Sequence, residues 1–302
     1  MRGISRVVAT VAVGSCALFG CSSAEESKNE CLGETASPLR TCAKGATLEG
    51  IDVSYYQGTV SWTSVKAAGK TFAFARVSDG LSYPDTKFAT NWPAMKSAGI
   101  IRGAYQYFRP SADPNAQADL MLDKIKAAGG LQPGDLPPVL DLETDSGLAA
   151  SVVVARAKTW LAKIEASIGV KPIVYTAAFM SNVIGTNFGG YTLWVANYGA
   201  TCPLMPSGWT DWSFWQTSDT GKVNGIGGNV DTNLFNGPLS DLQALTLKPA
   251  KNDDPPKGGT PTPPVAFVNV DDAIPNDGSQ GATIGSGSPS QEPTSVPFAP
   301  CL

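Results

Sequence analysis

Eight short runs of apolar and aromatic residues recur along the central part of this chain, and helical patterns separate several of them. Helical periodicity is clearest at residues 116–128 and 151–168, where the second segment carries an apolar stripe. Such alternation predicts a parallel sheet with helical crossovers, and eight strands predict an α/β fold closed into a TIM-like (β/α) barrel. The eight runs occupy residues 50–54, 72–77, 100–108, 138–143, 172–176, 192–197, 212–217 and 230–235, and the stripe consists of Val154, Ala157, Leu161 and Ile164.

The last two runs depart from this rhythm. They are separated by the turn-rich residues 218–228, which carry no helical pattern. We therefore expect an irregular barrel rather than a regular one. In an α/β barrel the functional residues collect at the C-terminal ends of the strands, so these ends are where a site is expected.

The composition excludes several kinds of chemistry. The chain of 302 residues contains no histidine, so a Ser-His-Asp triad, a Cys-His pair and any His-ligated metal site are excluded. A net charge of -4 provides no basic surface for nucleic acid. Carboxylates must therefore carry the acid-base chemistry, and we expect neither a metal nor another cofactor.

One apolar run, residues 137–143, ends in two carboxylates, Asp141 and Glu143. Side chains at positions i and i+2 of a strand share a face, so these two point the same way. Two neighbouring carboxylates at the end of a buried strand repel each other and lack water, which raises the pKa of one and makes it a proton donor near neutral pH. A glycosidase needs this arrangement. The alternative is a solvated strand end that caps a neighbouring helix.

Two further aspartates, Asp52 and Asp231, lie in similar apolar surroundings. Each alternates with apolar neighbours, as expected for a side chain that faces a barrel interior while its neighbours face helices. A single aspartate at a strand end is more often a turn or helix cap. Several that converge on one barrel mouth, together with the Asp141 and Glu143 pair, predict a catalytic site.

The N-terminus has the pattern of an export signal. Arg2 and Arg6 precede an apolar run at residues 7–19 that is too short to span a bilayer, so residues 1–20 are interpreted as a signal peptide. Residues 18–21 also resemble a bacterial lipobox, which predicts lipidation of Cys21 and a membrane anchor. Ordinary cleavage is the alternative, because a bulky phenylalanine occupies position 19. We expect an exported protein, anchored at the outer membrane or cell surface or secreted.

Segments of low apolar content flank the predicted barrel, which we place at residues 46–247. Residues 21–45 are polar and small, as in a tether, and residues 248–302 are rich in Pro, Gly, Ser and Thr. Such a tail cannot bury enough apolar surface to offset its chain entropy, so we expect disorder there. Thiols outside the cytoplasm tend to be oxidised, which predicts disulfides, and the sequence leaves the pairing open. The cysteines available for pairing are Cys31, Cys42, Cys202 and Cys301.

Taken in order, several motifs resemble those of family 25 of the glycoside hydrolases, the lysozymes that act as N-acetylmuramidases. The resemblance extends from about residue 50 to 237. It rests on Gly50-Ile51-Asp52-Val53-Ser54 with Gln57-Gly58 and Trp62, Phe72-Ala73-Phe74-Ala75-Arg76 with Asp79-Gly80, Gly103-Ala104-Tyr105, Asp141-Leu142-Glu143, Trp194-Val195-Ala196-Asn197-Tyr198, Trp215-Gln216 and Val230-Asp231. The family's departure from a regular barrel also matches the missing late helices.

The resemblance implies cleavage of the β-1,4 bond between N-acetylmuramic acid and N-acetylglucosamine in peptidoglycan, with retention of configuration. It implies that Glu143 is the general acid and later the base, and that Asp141 orients the substrate's own N-acetyl group as it attacks the anomeric carbon. Asp52 and Asp231 would position Glu143 or the sugar. We expect a monomer whose partner is the glycan strand.

Aromatic side chains are needed to pack against the apolar faces of sugar rings. The candidates near strand ends are Tyr105, Tyr107, Tyr175, Trp194, Tyr198 and Trp215, with Gln216 beside them. Tyr175 and Trp194 are the preferred ones from their family positions. The chain departs from the family at Gln106, where a histidine is common. An amide cannot titrate, so a role that needs protonation there would be lost.

Two other functions stay open at the level of sequence. One is a non-catalytic glycan-binding lipoprotein on a lysozyme-like scaffold. The other is a hydrolase of a different amino-sugar polymer such as chitin, since a fold does not fix a substrate.

Overall fold

Eight strands close into a barrel in the computed structural model, which describes residues 39–249. The strands are β1 (Leu48–Val53), β2 (Phe72–Asp79), β3 (Tyr83–Pro84), β4 (Ile101–Tyr107), β5 (Val139–Asp141), β6 (Ile173–Ala177), β7 (Thr192–Ala196), β8 (Phe214–Gly221) and β9 (Val230–Phe235). The helices are α1 (Trp62–Ala67), α2 (Phe88–Ser97), α3 (Pro114–Ala127), α4 (Ala150–Ile168), α5 (Ser181–Ile184) and α6 (Leu239–Ala244). The eight predicted strands are confirmed, and the two-residue β3 at the barrel's rim was not predicted.

The order of strands around the barrel is β1, β2, β4, β5, β6, β7, β8 and β9, with β1 pairing to both β2 and β9. Neighbours from β1 through β8 run parallel, whereas β9 is antiparallel to both β8 and β1. The irregular barrel is therefore confirmed. Because β9 runs in the opposite direction, its N-terminal end lies at the mouth formed by the C-terminal ends of the other strands.

Side-chain alternation divides the core into two layers. Inward residues such as Phe72, Phe74 and Trp194 fill the barrel, and outward residues pack under the helices. The Phe74 and Trp194 rings stack with their centroids 4.3 Å apart. Inward positions on β1 and β4 are Gly50 and Gly103, where a Cβ would overlap the Phe72 and Phe74 rings, respectively. The two glycines thus make room for the rings of Phe72, Phe74 and Trp194, an aromatic plug that fills the barrel beneath its mouth.

The two predicted helices are present as α3 and α4. Asp113 caps α3 by accepting hydrogen bonds from the backbone of Asn115 and Ala116. Gly169, in a left-handed conformation, ends α4. The predicted apolar stripe of α4 is right except at one position, since Val153 is fully buried and Val154 only partly so.

The folded region begins before residue 46, the predicted boundary, because a disulfide and hydrogen bonds fix the preceding segment. Cys42 is bonded to Cys202 in the β7–β8 connection, and the Thr41 backbone donates to the Pro203 carbonyl. The prediction of disulfides is confirmed for this pair. Within residues 39–249, no helix combines the length and apolar character needed to cross a membrane. The predicted signal peptide, Cys21, Cys31, Cys301, most of the tether and nearly all of the tail lie outside the described residues.

Candidate active site

The structure brings the four predicted carboxylates together at the barrel mouth. Asp52 lies near the end of β1, Asp141 ends β5 and Glu143 follows two residues later. Asp231 lies at the start of β9, not at a strand's C-terminal end, and it reaches the same mouth because β9 runs antiparallel, directly opposite Asp52. The four carboxyl groups influence one another's ionisation, which places them in one electrostatic cluster.

Asp52 is held by a dense set of hydrogen bonds. Its Oδ2 accepts from Gln216 Nε2 at 2.9 Å and from Asn233 Nδ2 at 2.8 Å. Burial raises the pKa of Asp52, and these two bonds, with a further one from Asp231, oppose that rise. The pKa of Asp231 is raised to about 9, first by burial and then by the Asp52 charge. Near neutral pH, Asp231 therefore carries a proton that it shares with Asp52.

Asp141 and Glu143 are held more loosely. Among the described residues, Asp141 Oδ1 is buried and has no hydrogen-bond partner. Burial raises the pKa of Asp141 well above its usual range, and the charges of Glu143 and Asp52 raise it further. Burial, followed by the Asp52 charge, raises the pKa of Glu143 to about 7. A carboxyl group with this pKa can both donate and accept a proton near neutrality.

An ion pair that the sequence did not single out lies beside Glu143. Arg109 binds Asp79 through two hydrogen bonds, at 2.6 and 2.7 Å, and its guanidinium lies 4.2 Å from the centre of the Tyr107 ring. The Arg109 charge lowers the pKa of Glu143, while the Asp79 charge raises it. The pair thus adds two opposing influences on the ionisation of Glu143.

The predicted tyrosines lie around the carboxylates. Burial raises the pKa of Tyr105, and the neighbouring Asp52 and Asp141 charges raise it further. For Tyr107 the same effect of burial is reinforced by Glu143. Tyr175 is buried, whereas Tyr198 is 46 % exposed, and both donate their hydroxyl protons to one acceptor, Gln216 Oε1, at 2.7 and 2.8 Å.

Gln216 is therefore a link between the tyrosines and the aspartates. The two tyrosine hydroxyls occupy its oxygen, which orients its nitrogen toward Asp52 and, at 3.4 Å, toward Asp231. With both ends engaged and only 3 % of the residue exposed, Gln216 positions its neighbours. The structure does not place it as a sugar contact, the role expected from sequence.

Two of the predicted aromatic contacts do not face an open site. Trp194 is 1 % exposed, stacks on Phe74 and donates to Asn233 Oδ1 at 2.8 Å, so it belongs to the barrel plug. Trp215 is 6 % exposed and points outward, because strand alternation turns it away from inward-facing Gln216. Its indole donates to the Asn197 carbonyl.

The departure at Gln106 lies away from the carboxylates. Gln106 faces outward between inward-facing Tyr105 and Tyr107 and is fully buried. Its amide donates to Ser78 Oγ at 2.9 Å and accepts from Trp160 Nε1 at 2.7 Å. Both polar ends are satisfied by neutral partners, so the residue joins two strands to α4 and has no titrating role.

Sequence reasoning missed Asn233, which completes the set of hydrogen bonds around Asp52. Its position two residues after Asp231 on β9 was a usable signal, because residues at i and i+2 share a face. Arg109 gave no comparable signal, since its partner Asp79 lies 30 positions away in the sequence.

A surface cavity of about 380 Å³ lies on the outer side of β8 and β9, and a second cavity of about 440 Å³ lies beside Tyr198. None of the four carboxylates lines either cavity. Within residues 39–249, no group of three His, Cys, Asp or Glu side chains is placed to hold a metal ion. The arrangement suits proton transfer near neutral pH.

Comparison with known proteins places this architecture among enzymes. Residues 51–226 match the family described as Glycosyl hydrolases family 25. The chain is 37 % identical over 211 residues to Lysozyme M1 of Streptomyces globisporus, covering 66 % of this chain and 71 % of that protein. It is 30 % identical over 217 residues to N,O-diacetylmuramidase of Chalaropsis sp, covering 66 % of this chain and 99 % of that protein.

Solved structures agree with this match. The bacterial lysozyme of Streptomyces coelicolor superposes with a TM-score of 0.62 at 36 % identity, covering 67 % of this chain and 97 % of that one. A family GH25 lysozyme from Aspergillus fumigatus gives a TM-score of 0.59 at 29 % identity, covering 67 % of this chain and 99 % of that one.

Proposed function

Because the chain belongs to family 25 of the glycosyl hydrolases, we propose that it hydrolyses the β-1,4 bond between N-acetylmuramic acid and N-acetylglucosamine in peptidoglycan. The observation that carries this proposal is the pairing of Asp141 and Glu143 at the barrel mouth. One carboxyl group has a pKa near neutrality, and the other presents a buried oxygen without a protein partner among residues 39–249.

In the first step, Glu143 acts as general acid. Its proton passes to the glycosidic oxygen as the bond from that oxygen to the anomeric carbon breaks. The acetamido oxygen of the muramic acid residue attacks the anomeric carbon from the opposite face and forms a cyclic oxazolinium ion. The Asp141 carboxyl group accepts a hydrogen bond from the acetamido N–H and stabilises the positive charge that develops there.

In the second step, ionised Glu143 acts as general base. It takes a proton from a water molecule, whose oxygen bonds to the anomeric carbon as the ring of the intermediate opens. Two inversions at the same carbon give net retention of configuration. This route uses the substrate's own nucleophile, unlike the common double displacement on a protein carboxylate.

Asp52 and Asp231 serve this chemistry indirectly. The proton shared by Asp52 and Asp231 reduces the negative charge near Glu143. Because nearby negative charge raises the pKa of Glu143, this proton makes it easier for Glu143 to be ionised in the second step. Gln216 and Asn233 fix the position of that pair. Tyr105, Tyr107, Tyr175 and Tyr198 provide the surroundings of the sugar, and Tyr198 is the most exposed of the four.

Mass spectrometry of fragments released from purified peptidoglycan tests the proposed function. A muramidase leaves reducing muramic acid ends, whereas a glucosaminidase leaves reducing glucosamine ends. Chitin, tested in parallel, should be a poor substrate. Release of reducing glucosamine ends, or no release at all, would reject the assignment.

The enzyme acts on the cell wall, and we extend the proposal to its anchoring. Cleavage before Cys21 and attachment of lipid to that residue would hold the protein at a membrane, because each buried methylene of an acyl chain contributes about 0.8 kcal/mol. Cys21→Ala should then release the protein from the membrane fraction without altering its intrinsic activity. A native N-terminus at another residue would refute the anchor alone.

A further inference from the structure

The exposed aromatic residues at the barrel mouth include an ordered pair, Tyr55 and Tyr56, directly after β1. Their side chains are 44 % and 69 % exposed, respectively. The ring centroids are 4.1 Å apart and the planes are inclined by 30°. Neither residue has been given a role in the reaction above, and large exposed aromatic groups at a concave site commonly bind ligands.

Two charged residues, Arg76 and Asp85, hold the two tyrosines in place. Arg76 lies under both rings, with its guanidinium carbon 5.1 Å from the Tyr55 centroid and 5.6 Å from the Tyr56 centroid. Asp85 accepts from Arg76 Nε at 3.1 Å and from the Tyr55 backbone N–H at 2.9 Å. Since Asp85 is almost fully buried, this contact anchors the aromatic pair to β2.

The backbone of the pair is held as well. Tyr55–Gln57 forms one 3₁₀ turn that Ser54 caps, and the Gln57 side chain accepts from the Ser54 backbone at 2.8 Å. The same side chain donates to the Asn229 carbonyl, just before β9. A rigid aromatic surface loses little conformational entropy when a ligand stacks on it, which favours binding.

The strand order shows where the pair lies relative to the carboxylates. Around the barrel, β1 and β2 are separated from β6 and β7 by β4 and β5 on one side and by β8 and β9 on the other. Tyr55 and Tyr56 therefore lie across the mouth from Tyr198, which follows β7. Asp141 and Glu143, at the end of β5, and Asp231, on β9, lie on opposite sides of the line between these aromatic groups, and Asp52 lies on β1 beside Asp231.

We propose that Tyr55 and Tyr56 form a sugar-binding platform for the glycan strand, on the opposite side of the cleaved bond from Tyr198. The ligand is a pyranose ring of an N-acetylated amino sugar, stacked on the exposed Tyr56 face. This inference rests on the proposed function. It implies that the strand crosses the mouth from the β1–β2 side to the β7 side and passes between the carboxylate pairs.

Binding to an inactive enzyme tests the platform separately from catalysis. The probe is a soluble peptidoglycan hexasaccharide without stem peptides, and the protein is the full chain carrying Glu143→Gln. Adding Tyr56→Ala should weaken binding about tenfold, the scale expected for removal of an aromatic anchor. Adding Tyr56→Phe, which keeps the ring, should weaken it much less.

Tyr191 provides the matched control. It directly precedes β7, at the end of the barrel away from the mouth, and Tyr191→Ala should leave hexasaccharide binding unchanged. Melting curves of each variant establish that it is folded. Equal affinity with and without Tyr56→Ala, or no hexasaccharide binding at all, would overturn the platform. Absence of muramidase products from the unaltered enzyme would instead overturn the proposed function.

Discussion

The two carboxylate pairs at the barrel mouth differ in how the protein holds them. Asp52 and Asp231 lie on adjacent antiparallel strands, and the side-chain amides of Gln216 and Asn233 bind Asp52. Asp141 lies at the end of a parallel strand, and within residues 39–249 its buried Oδ1 has no partner. The first pair is satisfied by the protein itself, while the second retains bonding capacity for a substrate.

This difference indicates a division of labour. A buried polar oxygen without a partner costs roughly 1–3 kcal/mol, so a fold tolerates it where a ligand later satisfies it. A carboxylate that accepts hydrogen bonds from two buried amides, by contrast, satisfies those donors and sets the local charge. We therefore expect the Asp141 and Glu143 pair to govern turnover and the Asp52 and Asp231 pair to govern stability and its pH dependence.

The largest effect should come from Glu143→Gln, which is nearly isosteric and cannot donate a carboxylic proton. Loss of general acid catalysis typically reduces the rate about 10²- to 10⁴-fold. The assay is kcat on soluble wall glycan, and Glu165→Gln on α4 is the matched control. Near-wild-type turnover of Glu143→Gln would remove Glu143 from the mechanism.

Truncating Asp52 and replacing Asp141 should have different effects on stability. Asp52→Ala leaves the Gln216 and Asn233 amides without their acceptor, so the free energy of unfolding should fall by about 1–3 kcal/mol. Asp141→Asn should leave it unchanged or raise it, because buried repulsion with Glu143 disappears. Denaturant titration of both variants is the measurement. Equal destabilisation by Asp52→Ala and Asp141→Asn would contradict the proposed difference between the two carboxylate pairs.

The pH dependence of stability provides a separate signature of the Asp231 proton. The folded pKa of about 9 exceeds the value of about 4 in an unfolded chain, so the folded state binds the additional proton between these limits. This contribution is fully present below pH about 4 and is lost as the pH rises toward about 9. Asp231→Asn should flatten the decline, as measured by unfolding at a series of pH values. An unchanged slope would contradict the assignment of the proton.

The smallest expected effect concerns Arg109. The general acid must be protonated, so kcat/KM should fall as the pH rises through about 7, the pKa of Glu143. Arg109→Gln removes a cation that favours the ionised form, which should move this alkaline limb to higher pH. Lys163→Gln, on the outer surface of α4, should leave the limb in place. A shift of the alkaline limb toward lower pH in Arg109→Gln would contradict the idea that the Arg109 charge favours ionised Glu143.

The sequence predicted the barrel well because its strands and longer helices carry strong local periodicity. It also located all four carboxylates of the candidate site, since each lies in a short apolar strand pattern. It did not predict that Trp215 faces outward or that Trp194 is buried in the plug. Aromatic residues suit both a core and a sugar site, and only the closed barrel fixes which side of a strand faces the mouth.

Contacts between distant segments were the least predictable. Arg109 and Asp79 are separated by 30 positions, and Gln216 and Asp52 by 164, so no local pattern links them. The Gln106 departure illustrates the same limit, because its significance depends on Ser78 and Trp160. The composition excluded histidine chemistry. It could not show that the two carboxylate pairs differ, because the hydrogen bonds that distinguish them form only in the folded chain.

The most direct test of the account compares N-acetylated and de-N-acetylated wall glycan as substrates for the unaltered enzyme and for Asp141→Asn. If Asp141 stabilises the substrate's acetamido group, the unaltered enzyme should cleave acetylated glycan efficiently and de-N-acetylated glycan poorly. Asp141→Asn should lose about 10²- to 10³-fold on the acetylated substrate, the scale of a lost electrostatic stabiliser. Efficient cleavage of de-N-acetylated glycan by the unaltered enzyme would contradict the account.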